Sequence, residues 1–323
     1  MKRSNTTQIT GIFRQQHAGF TLVELIAVIV ILGIVSLGVT NFMGNSTQMY
    51  VDTAERDDIL AKSRYTVERL NRAIRYALPN SIRVAANKPP GQDVNAHCLE
   101  FFPIEWSTFY LSIATGADSP ITTIEGPDMV SALDAVASGY DDTNELAHYV
   151  VVYPTDPSQV YVDEAELIDD DGRIVRVQDV RDASRDGLKE VEFQNAISFD
   201  EESTVERFYI VSDPISYCLV LESGSYNLYL LSDYGILPTQ VADVDELQIT
   251  YGATKVLMAQ NLTNDISKIT NGQLNNNRPF DEAPFRVEDS RLQRNAIVHT
   301  LLMFERNDEV VVFNNEIHMQ NSP

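Results

Sequence analysis

The sequence predicts an α+β chain: a long N-terminal helix, membrane-spanning over its first half, packed on an antiparallel β-sheet head domain with long loops. Three observations predict it. Residues 25–51 carry no charged side chain. Leu60, Val67, Leu70, Ile74 and Ala77 then recur at helical spacing, with charged residues on the other faces. Beyond residue 81 the pattern changes to short β-type runs bounded by turn residues.

The apolar run from Leu25 to Met43 is interrupted only by small residues and by Ser36, Thr40 and Asn41. As a helix it extends about 29 Å, the thickness of a bilayer's hydrocarbon core. Residues 1–19 hold Lys2, Arg3 and Arg14 and no acidic residue, so the N-terminal piece is expected to stay in the cytoplasm and the long remainder to cross the membrane. A conventional secretory signal fits poorly, because its cleavage site would follow a shorter apolar core.

Glu24 stands immediately before this run, within the membrane segment expected at 20–43, and a lone carboxylate in such a segment costs about 2.5–3.5 kcal/mol on insertion scales. Two readings are open from the residues alone. Either Glu24 snorkels at the headgroup boundary, or a cation from another copy of the helix pairs with it. The helical pattern continues to Leu78, where Pro79 ends it. A helix from Phe20 to Leu78 would be about 90 Å long. Gly33, Gly38 and Asn41 are candidates to soften it.

Strands are expected at 97–104, 108–113, 148–153, 173–177, 207–211, 217–222, 227–231, 246–251, 297–304 and 310–317. The clearest hairpin joins the last two about Arg306-Asn307-Asp308, and a second is expected to join EAELI to RIVRV about residues 169–172. Segments 114–147 and 255–294 read as long loops, the first with a short helix over 128–137. The expected divisions are 1–19 as a cleaved leader, 20–43 as the membrane segment, 44–78 as the amphipathic continuation and 79–323 as the head.

The chain has 323 residues, is 44% hydrophobic and carries a formal net charge of −23. That suits a folded domain with a core and argues against nucleic-acid binding, since such a charge repels phosphate backbones. The two cysteines, Cys98 and Cys218, both follow the membrane segment. On the exported side they are expected to form a disulfide, the alternative being two buried free thiols.

Enzymatic fingerprints are missing: there is no phosphate loop, no Gly-x-Ser-x-Gly and no HExxH. The histidines at 17, 97, 148, 299 and 318 stand singly, and His97 beside Cys98 would point to the opposite face of a strand. No catalytic residue, cofactor or catalytic metal is expected. The cluster Asp169-Asp170-Asp171-Gly172 admits a plain turn or a calcium site through Asp169 and Asp171, although an EF-hand register would put Leu167 and Gln178 at its first and last ligand positions.

The run Gly19-Phe20-Thr21-Leu22-Val23-Glu24 before an uncharged stretch resembles the processing site of type IV prepilins and of the pseudopilins of type II secretion. The resemblance implies a type IV pilin-like fold and a prepilin peptidase that cuts after Gly19 and methylates Phe20. It also implies that Glu24, at the fifth mature position, pairs with the N-terminal amine of a neighbouring subunit. Loss of the leader removes three cations and leaves a charge of −26. Segments 70–84, 97–101, 207–218 and 315–323 are similar, in the same order, to a minor pilin of the mannose-sensitive haemagglutinin (MSHA) pilus, and both cysteines lie in these patches. Other major and minor pilins are the implied partners.

Overall fold

The computed structural model describes residues 21–116, 119–127, 148–169, 172–185, 187–269, 283–288, 296–306 and 309–319. The chain divides into two compact units, Met1–Asp57 and Asp58–Pro323.

The described part of the first unit is helical, within a single helix α1 that spans Leu22–Arg75. Neither Gly33, Gly38 nor Asn41 interrupts it. The Thr40 hydroxyl donates to the Ser36 carbonyl at 2.8 Å, and Thr47 and Thr53 bond Met43 and Met49 in the same way. These hydroxyls are therefore satisfied without leaving the helix. The apolar side chains are exposed, among them Leu37 and Phe42 at 70% and 71%.

In the second unit, Val67, Leu70 and Ile74 of α1 are buried in the main core with Leu99, Phe101, Tyr217, Val298 and Phe304. The helix ends at Arg75, three residues before the expected Leu78. There the backbone turns to other partners: the Leu78 N–H donates to the Phe102 carbonyl and the Ile104 N–H to the Tyr76 carbonyl, each at 2.8 Å.

Among the described residues the head has two antiparallel sheets. The first, of eight strands, contains β1 (Arg83–Asn87), β2 (Ala96–Phe101), β9 (Ile215–Glu222), β10 (Ser225–Ser232), β11 (Thr254–Leu262), β13 (Ile297–Arg306) and β12 (Phe285–Glu288) in that order, with β14 (Glu309–His318) paired to β13. The second, of six, has the order β3 (Ile104–Phe109), β8 (Arg207–Val211), β5 (Tyr149–Val152), β6 (Ile174–Asp182), β7 (Leu188–Ile197), β4 (Ile121–Pro127).

A single two-stranded ribbon passes from one sheet to the other. Phe101 pairs with Ile215 at the end of β2–β9, and Ile104 with Val211 at the start of β3–β8. Between these pairs lie Pro103 on one strand and Pro214 on the other. Proline has no N–H for the ladder, so the ribbon breaks there. The expected strand at 97–104 is accordingly two strands in two sheets. The strand expected at 108–113 ends at Phe109, because β3 begins earlier.

The C-terminal hairpin is present, with Arg306 opposite Glu309. Residues 246–251 form no strand. Residues 246–249 belong to a short helix, Val244–Ile249, whose N-cap Asp243 accepts from the N–H groups of Asp245 and Glu246 at 3.0 and 3.2 Å, and Thr250 caps its other end. Val244 and Leu247 are its buried, helically spaced residues. The hairpin expected about residues 169–172 is also absent. EAELI is rich in helix formers and contributes to a one-turn helix at Glu166–Asp169, while RIVRV enters β6, between β5 and β7. Segments read as loops contain β4, β11 and β12. The helix expected over 128–137 lies outside the described residues.

Candidate assembly site at the start of the long helix

Thr21 opens α1. Its hydroxyl oxygen accepts the Glu24 backbone N–H at 3.2 Å, a donor that the Thr21 carbonyl also accepts at 3.1 Å, so this first-turn N–H is satisfied by Thr21 alone. The sequence reading missed this cap, although Thr21-x-x-Glu24 has the spacing of a capping box. Glu24 is the acidic residue of the first turn, where the helix dipole favours negative charge. Its carboxylate is exposed, as are the apolar residues around it. Gly19 and Phe20 lie outside the described residues.

One described helix, α1, has a stretch long and apolar enough to cross a membrane. A carboxylate is thus presented one turn from the beginning of an otherwise uncharged, bilayer-length surface. Residues 14–40 match the family described as the prokaryotic N-terminal methylation motif. The chain carries a prokaryotic N-terminal methylation motif. This motif supports a type IV pilin or pseudopilin, a structural class of protein, and implies processing by a prepilin peptidase and association with other pilins. The apolar helix that follows it fits membrane anchoring. No curated protein and no solved structure matches the chain.

The motif does not extend to the head, where the other sequence candidates lie. Cys98 and Cys218 are directly opposed on β2 and β9 and are joined by a disulfide. Their Cα separation of 4.1 Å is that of a close, non-hydrogen-bonded cross-strand pair. They sit in a small core with Leu231, Tyr234, Val244 and Leu247. His97 points the other way, into the main core, and its ring stacks on Phe285 with centroids 5.9 Å apart. Among the described residues neither ring nitrogen has a hydrogen-bond partner, and burial pushes its pKa down to about 3. No thiol–imidazole pair exists here.

His148 is likewise held low by burial, and His299 lies between Glu288 and Glu316 at 3.2 and 3.5 Å. Among the described residues no group of three or more His, Cys, Asp or Glu could hold a metal. Of the calcium candidates, Asp169 closes the one-turn helix, while Asp171 and the Asp169 side chain lie outside the described residues.

A buried polar network went unread in the sequence. Arg83 Nε donates to Glu100 Oε2 at 2.5 Å, Tyr234 donates to Glu100 Oε1 at 2.9 Å, and Ser216 and Tyr234 share a bond of 2.8 Å. The Arg83 guanidinium also donates to the Leu237 and Pro238 carbonyls and lies 3.4 Å from the Tyr161 ring centroid. Burial raises the Glu100 pKa while Arg83 opposes it. The network is structural: its hydrogen bonds are made within the fold, and Glu100 is 1% exposed.

Proposed function

We propose that the protein is a minor pilin of an MSHA-type type IV pilus, resembling the O protein of that biogenesis set. It acts as a structural subunit in assembly initiation, in the tip complex and in surface attachment. The observation that carries the pilin-class reading is the run Gly19-Phe20-Thr21-Leu22-Val23-Glu24 leading straight into a capped helix with no further charge before Asp52, and the resemblance of segments 70–84, 97–101, 207–218 and 315–323 is what favours the MSHA type.

In this reading the chain begins as a single-pass inner-membrane protein with a periplasmic head. Prepilin peptidase removes residues 1–19 and methylates Phe20. The apolar half of α1 then leaves lipid for a bundle of equivalent helices, where no water remains to solvate a charge. Glu24 is compensated by the N-terminal amine of a neighbouring subunit, and the pair replaces two costly isolated ions by one neutral contact. The Cys98–Cys218 disulfide suits a head that works outside the cytoplasm. The head contacts other major and minor pilins, and no step in this role requires catalysis.

The same N-terminal motif serves minor pseudopilins, J-like ones included, of type II secretion systems. Deletion of the gene separates the two. Loss of surface pili and of attachment with secretion intact supports the pilus role. Loss of secretion with pili intact replaces it by the pseudopilin role.

A further inference from the structure

The solvent face of α1 over residues 62–76 runs against the charge of the rest of the protein. Five cations, Lys62, Arg64, Arg69, Arg72 and Arg75, stand with one anion, Glu68, a local charge of +4 in a chain whose total is −23. Spacing places all of these but Lys62, together with Tyr65 and Tyr76, in two adjoining rows, Arg64-Glu68-Arg72-Arg75 and Tyr65-Arg69-Arg72-Tyr76. All seven of these residues are exposed, opposite the buried Val67, Leu70 and Ile74.

None of the four arginines makes an ion pair among the described residues. The helix dipole accounts for Arg72 and Arg75, which lie in the last turn. It does not account for Arg64 and Arg69, and like charges at helical spacing repel. The stripe also borders concave surface. Arg72, Arg75 and Tyr76 line a groove of about 810 Å³ with Glu316 and His318, and a second groove of about 370 Å³ brings in Trp106 and Arg207.

The same helix carries a segment of opposite charge. Residues 52–57 hold Asp52, Glu55 and Asp57 against Arg56, the exposed Met49 and Tyr50 precede them, and Asp58 at the end of the segment already bridges Lys62 and Arg306 of its own chain at 2.8 and 3.2 Å. We propose that the stripe Arg64–Tyr76 is a docking surface for the acidic segment 52–58 of α1 from a second copy of this chain. The two helices run parallel and are offset by about a dozen residues. This deepens, and rests on, the reading of the protein as a subunit that packs by α1. The complementary charges fix the offset, and Met49, Tyr50, Tyr65 and Tyr76 supply apolar contact beside them.

The test is co-purification of an untagged full-length chain with a tagged copy from detergent-solubilised membranes. It is run on protein from cells with and without prepilin peptidase: detergent removes the bilayer that holds two uncut anchors at one level, so the offset of about 18 Å can form in either background, while the filament reading needs cleavage. Recovery of the untagged copy is expected to fall at least tenfold with Arg64→Glu/Arg69→Glu, a variant that leaves the cations of the last turn in place. Co-expression with a copy carrying Asp52→Arg/Glu55→Arg/Asp57→Arg should restore at least half of it, and raising the salt should weaken the native pair. Unchanged recovery with Arg64→Glu/Arg69→Glu overturns the proposal. So does a loss that the reversed copy fails to restore, which would assign the stripe to an acidic partner other than this chain. An uncut chain in cells that contain the peptidase counts against the filament reading alone.

Discussion

Cys98 and Cys218 are register partners on β2 and β9, with Cα atoms 4.1 Å apart and a covalent bond between their sulfurs. The bond spans a sequence separation of 120 residues, so it removes a large set of open conformations from the unfolded chain. Replacing both cysteines by alanine is expected to lower stability by about 4–5 kcal/mol on the chain-entropy account. Denaturant unfolding of the full chain in detergent measures this, and unchanged stability would show that the bond constrains little.

His97 sets an acid limit. The folded head holds the neutral ring with a pKa near 3, against 6.5 for the free side chain. The unfolded chain therefore takes up a proton that the folded one refuses. The stability contributed here is complete above pH 6.5 and drains away as the pH falls towards 3, by up to about 1.4 kcal/mol per pH unit. His97→Phe keeps a ring against Phe285 and should flatten the stability profile across that window. An unaltered slope would assign the acid sensitivity to other groups.

Arg83→Met should be more damaging than removal of the pair as a whole. It strands Glu100, which is 1% exposed, without its cation, and breaking a buried pair in this way costs about 3–5 kcal/mol. Arg83→Met/Glu100→Leu should recover much of that loss. Unfolding free energies of the two variants make the comparison, and equal losses would mean that the ion pair itself stabilises the head.

Gly126 stands where β4 passes close to the β3–β8 pair. A Cβ at this position would lie 2.9 Å from the Phe109 carbonyl oxygen, 3.2 Å from Thr108 Cγ2 and 3.3 Å from Phe208 Cε1. Gly126→Ala is expected to destabilise by about 1–3 kcal/mol through overpacking, read as a lowered melting temperature. A neutral substitution would show that β4 can shift away.

Local chemistry was legible in the sequence where it governs the outcome. The bilayer-length run in α1, the Val67-Leu70-Ile74 stripe and the β13–β14 hairpin all follow from spacing. Errors arose where local preference gave two answers or tertiary context decided. Residues 246–251 look β-like until Asp243 is recognised as a helix cap. β11 exposes much of its surface and so reads as a polar loop, although its backbone pairs along β10. At the candidate site, Glu24 and its setting were legible but the Thr21 cap was passed over. The Arg83–Glu100–Tyr234 network joins residues up to 151 positions apart and left no local trace.

Glu24 carries the assembly proposal. Gly19→Val should block processing outright. Glu24→Ala should leave processing intact and reduce incorporation into filaments severely, because the amine of a neighbour loses its counter-charge in a dry bundle. Immunoblotting of sheared filaments against membranes measures the two effects separately. Normal incorporation of Glu24→Ala would refute the pairing.

The most direct test of the central claim is intact-mass and N-terminal analysis of the chain from its native membrane, with and without prepilin peptidase. A mature chain that begins at methylated Phe20, and stays uncut when the peptidase is absent, is the result predicted here. A chain that keeps residues 1–19 in both backgrounds would contradict it, and would make the protein a static, membrane-anchored binding module.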